Sequence, residues 1–481
     1  MPQHYISEQT PLLRPAHTGA DDSRVLKTTP EVLRLGRATV PISASFALQN
    51  IVQAFSIMTA GGLGPLQLDV ASYGFMFATC TGSMVAIGGA TALDTLCGQS
   101  LLSVKTLADP TTLGRHLQQS LFVLSILFLV VITPLWLVSG RIFVALGQSS
   151  NFALGVGRFL ILMLPAGYFQ MVAESLKKFS QVQGDSSPVC WITFAAAILG
   201  SLSTVLLVRF TTLGIDGVPL AFFVYQFGTV TLLIALVSYR QKMKKTIRLI
   251  STWADLFDGL LSNLSLATTG ILTIATEWWS FEILAIMAAR LSPDEIGAQS
   301  ILMSADLIFT TMSLGLGVAT SHRIGQLLGA NKPLLARRAA FAPYLLALVL
   351  GIVEFVIILA FRSRFGYMFT SDDGVVATTA RVLPLMAGFQ VLDLSNGGAG
   401  GILRGTRRNH QSGACNFVAY YGVGLTTAWM WCFRMGWGLG GLWMGIITGS
   451  GALLLLQTAC VLALPWEKAA REASGEPCPE M

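Results

Sequence analysis

The chain has 481 residues, 53% of them hydrophobic and only 12% charged, and its mean hydropathy is +0.64. That composition excludes a soluble globular domain and indicates a polytopic membrane protein. The net charge of +6 does not mark a nucleic-acid partner, because the Lys and Arg residues gather in the loops that a membrane protein keeps in the cytoplasm. The seven cysteines show no CxxC spacing and no Cys/His cluster, so neither a disulfide framework nor a metal site is expected.

Residues 1–40 are polar and rich in Pro, Thr, Arg and Asp, which reads as a disordered cytoplasmic tail with no cleavable secretion signal. Within this tail Glu8-Gln9-Thr10-Pro11-Leu12-Leu13 resembles an acidic dileucine sorting signal, with Glu8, Leu12 and Leu13 as its readable residues. Apolar runs long enough to span a bilayer then recur at about 41–60, 70–92, 117–138, 152–174, 189–209, 214–239, 260–289, 295–318, 340–361, 374–402, 411–433 and 438–463. Twelve spans put both termini on one side. Loops and tails on that side carry 23 Lys and Arg against 6 on the other, which assigns both termini to the cytoplasm.

The basic loop 240–259 divides six spans from six. The expected organisation is a tail at 1–40, an N-lobe at 41–239, the inter-lobe loop 240–259, a C-lobe at 260–463 and a cytoplasmic tail at 464–481. Internal similarity supports the division: Ala92-Leu93-Asp94-Thr95-Leu96-Cys97-Gly98-Gln99 after span 2 parallels Ala319-Thr320-Ser321-His322-Arg323-Ile324-Gly325-Gln326 after span 8. A weaker echo relates Ala166-Gly167-Tyr168-Phe169-Gln170 to Ala387-Gly388-Phe389-Gln390, each followed by an acid, Glu174 or Asp393. The fold class is therefore all-α, with twelve transmembrane helices in two pseudo-symmetric six-helix lobes, and such repeats place a transport site near the midplane.

Span 7 holds Thr276-Glu277-Trp278-Trp279-Ser280-Phe281-Glu282, two carboxylates and two indoles in an apolar run. A carboxylate near the bilayer centre costs about 2.5–3.5 kcal/mol on insertion scales, so it persists mainly where it faces a cavity or a partner. Glu277 and Glu282 are five residues apart, about 140° around a helix, and do not share a face. One is expected on the cavity and the other on a neighbouring helix. The second lobe also buries Asp306, Glu354 and Asp393, whereas the first has Glu174 beside Lys177 and Lys178, and Asp94 at the mouth of span 2. Asp306, Glu354, Glu282 and Asn396 read as secondary coupling or substrate groups, the acids otherwise as plain interhelical contacts. Asp393 precedes Leu394-Ser395-Asn396-Gly397-Gly398-Ala399-Gly400-Gly401, where the glycines permit close helix approach or local unwinding and Asn396 offers a polar contact. Trp278 and Trp279 suit a cavity wall for an aromatic or cationic compound, or simple packing.

No Walker loop, dinucleotide fingerprint, nucleophile elbow or metal-binding His pair is found, so neither an enzyme nor an ATP-driven pump is expected. The chain resembles eukaryotic members of the multidrug and toxic compound extrusion (MATE) family over most of residues 35–465. The residues that carry this are Ala92 to Gln99, Glu277-Trp278-Trp279-Ser280-Phe281-Glu282, Gly325-Gln326-Leu327-Leu328-Gly329-Ala330-Asn331, and Gly401-Ile402-Leu403-Arg404-Gly405 with the later Gly441-Leu442-Trp443. The resemblance implies proton-coupled antiport by two rocking lobes, with Glu277 and Asp393 as the proton-linked pair. Departures are Thr269 in place of a proline before Gly270, Ser304 in place of an acid in span 8 with Asp306 two residues later, and no acid between Pro41 and Ala60.

The expected function is proton-coupled efflux of small organic compounds, cationic or amphipathic drugs, xenobiotics or secondary metabolites. The alternatives are a sodium-coupled antiporter of the same fold and a lipid flippase. No cofactor is expected beyond the coupling ion. The expected partners are a small-molecule substrate and the bilayer, with the chain working as a monomer in the vacuolar or plasma membrane.

Overall fold

A computed structural model describes residues 28–247 and 253–475. The sorting residues Glu8, Leu12 and Leu13 lie outside the described residues. The fold is all-helical: without water to bond the backbone, a membrane span must satisfy its N–H and C=O groups internally. The spanning helices are α1 (Thr28–Gly61), α2 (Pro65–Ser100), α3 (Thr112–Ala145), α4 (Ser150–Val182), α5 (Ser186–Arg209), α6 (Gly217–Tyr239), α7 (Leu260–Ala288), α8 (Pro293–Gly329), α9 (Ala342–Phe365), α10 (Asp373–Gly405), α11 (409–434) and α12 (Gly438–Leu462). Eleven of these are long and apolar enough to cross a bilayer, α2 and α3 each with one wider π-type stretch, at Thr79–Ser83 and Phe128–Ile132. The other, α11, winds through two wider π-type stretches at Val418–Gly424 and Met430–Arg434. A terminal helix, α13 (Trp466–Ser474), buries Trp466, Ala469 and Ala470 against Ile324, Leu327 and Ala336.

The helices outrun the apolar runs that predict them. At 1.5 Å per residue the 37 residues of α8 extend about 55 Å, well beyond a hydrocarbon core of about 30 Å. Residues 28–40, expected within a disordered tail, instead form the first turns of α1, which continues through Pro41. Glu31 explains the difference: it is 4% exposed and paired with Arg323 of α8, which anchors this polar segment. Local signals set other ends. Ser292 and Glu295 form a reciprocal cap on α8 with Pro293 in its first turn, and Asp372 caps α10 by accepting from Gly374 N at 2.8 Å.

Chain contacts define two compact units. One comprises Ala44–Cys97 and Lys105–Ile271; its interior is aromatic, with Phe75 edge-on to Phe159 and Phe222, and the Trp136 indole donating to Thr81 Oγ1 at 2.8 Å. It also encloses two ion pairs, Lys177 to Glu174 at 2.9 Å and Lys178 to Asp94 at 3.0 Å, with all four residues at most 3% exposed. The other comprises the described residues 28–43, Gly98–Val104 and 272–475. Within it the repeated Gly-Gln motifs meet: a β-carbon on Gly325 would lie 3.0 Å from the Gly98 carbonyl carbon, closer than side chains pack. Gln99 Nε2 donates to the Gly405 carbonyl at 2.9 Å. The two copies of the motif thus meet in a close backbone contact at Gly325, with a side-chain latch from Gln99.

Candidate functional site

In the second unit α8 and α9 both pack along α10, and their apposed faces carry the polar residues of the span interiors. On α8 the residues Asp306, Thr310 and Ser313 recur at helical spacing and face Gln390, Asp393 and Gly397 of α10. Gln390 Nε2 donates to Asp306 Oδ1 at 2.7 Å, Thr310 Oγ1 donates to Asp393 Oδ2 at 3.3 Å, and Ser313 Oγ donates to the Asp393 carbonyl at 2.8 Å. Of the two roles open to the glycine run, close approach is the one adopted: α10 stays helical to Gly405, and Gly397 and Gly401 lie against Ser313, Gly317 and Thr320 of α8. Ser304 is exposed on α8 while Asp306 is buried, so Asp306 points into the unit.

Three helices complete the set. Glu277 of α7 is half-buried and close enough to Asp306, Asp393 and Arg404 to interact electrostatically with each. Tyr420 of α11 is buried; its hydroxyl faces Glu277 and Ser450 without a hydrogen bond to either. Glu354 of α9 is 7% exposed, its Oε2 has no hydrogen-bond partner, and it lies within electrostatic range of Asp306 and Asp393. Asn396 is spent on structure: its Nδ2 donates to Ser450 Oγ at 2.8 Å and to the Ser450 carbonyl at 3.1 Å, which ties α10 to α12.

Sequence reasoning named Glu277, Asp306, Glu354 and Asp393, and the structure brings these four together. Glu282 is half-buried further along α7, on another face, as its spacing requires. Trp278 is half-buried and Trp279 is 48% exposed. Among the described residues no Lys, Arg or His nitrogen lies within 4.0 Å of the carboxylate oxygens of Glu277, Asp306, Glu354 or Asp393. Four carboxyl groups held near one another, three of them buried, repel when charged, which favours a cation among them.

Sequence reasoning missed Gln390, Tyr420 and Arg404. Gln390 stands in the weak repeat already noted, and Arg404 in the Gly401 to Gly405 motif, two residues past the expected end of span 10 at 402. It belongs to the last turn of α10, half-buried against Gly317 and Gly400. Toward the ends of these spans opposite both termini, α8, α9 and α10 line a half-open apolar cavity of about 270 Å³ between Ala305, Phe309, Ile358, Leu383 and Met386, with Arg364 beside it. Its walls are one residue from Asp306 and one helical turn from Glu354 and Gln390.

Twelve spanning helices in two lobes and a polar set buried within the second define a multi-pass membrane transporter rather than an enzyme. The family described as MatE matches this sequence twice, over residues 41–206 and 270–430, and the chain belongs to that family. The two matches begin 229 residues apart, in keeping with the internal repeat. The chain is 30% identical to Protein DETOXIFICATION 17 of Arabidopsis thaliana over 456 residues, covering 94% of each chain. It is 30% identical to the uncharacterized transporter C4B3.13 of Schizosaccharomyces pombe over 445 residues, covering 91% of this chain and 80% of that one. Among solved structures, the eukaryotic MATE transporter AtDTX14 superposes with a TM-score of 0.86 at 28% identity, over 93% of this chain and 99% of that chain.

Proposed function

We propose that this transporter is a proton-coupled antiporter that exports small organic cations or amphipathic aromatic compounds. The observation that carries the reading is the set of four carboxyl groups in the second lobe without an ion-pair partner. Glu277 and Asp393 take the coupling proton. Asp306 and Glu354 add negative potential to the site, and the apolar cavity beside them receives the hydrocarbon part of the substrate. Protonation from the acidic side removes the charge that holds a cationic substrate and releases it; deprotonation toward the cytoplasm restores the charge. Each charge moving with the membrane potential contributes about 2.3 kcal/mol per 100 mV.

The Lys and Arg bias supports cytoplasmic termini, and the dileucine-like tail supports a vacuolar membrane, with the chain working as a monomer. The test is uptake of a fluorescent organic cation into proteoliposomes with an acidic interior. Uptake should collapse when the pH gradient is dissipated and in Glu277→Gln. Uptake driven by a sodium gradient at equal pH would replace the proton with sodium, and movement of a labelled lipid without uptake of the cation would make the protein a flippase.

A further inference from the structure

The six cysteines of the described residues are all reduced thiols, and two of them meet across a helix pair. Cys415 Sγ of α11 lies 3.9 Å from Cys460 Sγ of α12. We propose that this pair is a reversible oxidation site whose disulfide clamps α11 to α12 and slows transport. A disulfide needs its sulfurs about 2.05 Å apart, so the thiols must close by about 1.9 Å, within reach of side-chain rotation.

The position gives the bond both access and consequence. Cys460 is half-buried in the last turn of α12, and Cys415 is the seventh residue of α11, so both lie within about 10 Å of helix ends on the side of the termini. The surrounding contacts lead to the acid site. Gln457, three residues before Cys460, donates to Ser412 Oγ and Asn416 Oδ1, each at 3.3 Å, and Asn416 Nδ2 donates to the Thr273 carbonyl at 3.2 Å. Thr273 is one turn before Glu277 on α7, and Tyr420, which faces Glu277, packs in the same cluster as Cys415. A bond between α11 and α12 therefore restrains the corner on which α7 rests.

The oxidant class is a peroxide. The Cys460 thiolate attacks one peroxide oxygen, the O–O bond breaks, and the displaced hydroxide takes the thiol proton and leaves as water. The sulfenic acid at Cys460 is then attacked by the Cys415 sulfur; the S–S bond forms, the S–O bond breaks, and a second water leaves with the Cys415 proton. Two thiols are oxidised by two electrons in total and one peroxide is reduced to two waters. A thiol reductant reverses the step by exchange, as suits a transient disulfide facing a reducing compartment.

The clamp's effect rests on the proposed transport reading; formation of the bond does not. The full chain in proteoliposomes is treated with hydrogen peroxide, alkylated with iodoacetamide and digested, and the peptides are weighed. The expected result is a Cys415–Cys460 crosslinked peptide that dithiothreitol removes and that is absent from Cys415→Ser and, independently, from Cys460→Ser. Oxidised wild type should take up the cation several-fold more slowly, with recovery on reduction, while both variants are insensitive to peroxide. Recovery of the two cysteines as separate alkylated or over-oxidised peptides would overturn the site, and a crosslink that leaves uptake unchanged would overturn the clamp.

Discussion

Asp94 and Glu174 in the first lobe and Asp306, Glu354 and Asp393 in the second are all buried, yet only the first two sit on lysines. Lys178 and Lys177 lie 3.0 and 2.9 Å from them, whereas the second set has the neutral neighbours Gln390, Thr310 and Ser313, with Arg404 acting on Glu277 from further off. A buried ion pair leaves no charge to exchange: each partner's desolvation is met by the other, and the pair holds its helices in place. A buried acid among amides and hydroxyls keeps a site for a cation that arrives and leaves. On the proposed reading, the same residue type is a structural pin in one lobe and a binding group in the other, and the lysine marks the difference.

The widest contrast should come from neutralising one acid in each lobe. Glu277→Gln or Asp393→Asn should bring gradient-driven transport to background while the thermal unfolding midpoint in detergent stays at or above that of wild type, since a buried repulsive charge is removed. Lys178→Met should do the reverse. It strands Asp94 in the core and costs about 3–5 kcal/mol, read as a large fall in unfolding midpoint and yield, with transport per folded molecule retained. Equal loss of transport in both would erase the distinction. A smaller effect is expected from Glu354→Gln: transport reduced several-fold rather than abolished, with a weaker apparent affinity for a cation than for a neutral substrate. Smallest of all is Arg34→Ala. This pair with Glu31 spans 3.5 Å at a partly exposed arginine, and losing it should cost about 0–1 kcal/mol because Arg323 still holds Glu31.

The spans were legible because hydropathy over twenty residues is a strong signal, and the repeat because its Gly-Gln pairs keep their register, with Gly325 set so close to the Gly98 backbone that a side chain there would crowd it. The extent of α1 was not, since residues 28–40 are polar and Pro41 reads as a stop; a contact with Arg323, 292 residues from Glu31, makes them helical. The acids of the site were legible one by one, as costly charges in apolar runs. Their grouping was not, because it depends on how α7 to α10 are rotated against one another, and Gln390 reaches Asp306 across 84 residues. Tyr420 escaped because an aromatic residue in a span looks like packing, and Arg404 because a cation near a span end looks like a loop residue.

The central claim is that the second-lobe acids hold a proton that the substrate displaces. It is tested most directly by adding an organic cation to purified protein in weakly buffered detergent and following the pH. The account predicts that binding releases protons from wild type, independently of sodium, and that Asp393→Asn and Glu277→Gln each diminish the release. Saturable binding of the cation with no proton released would contradict it.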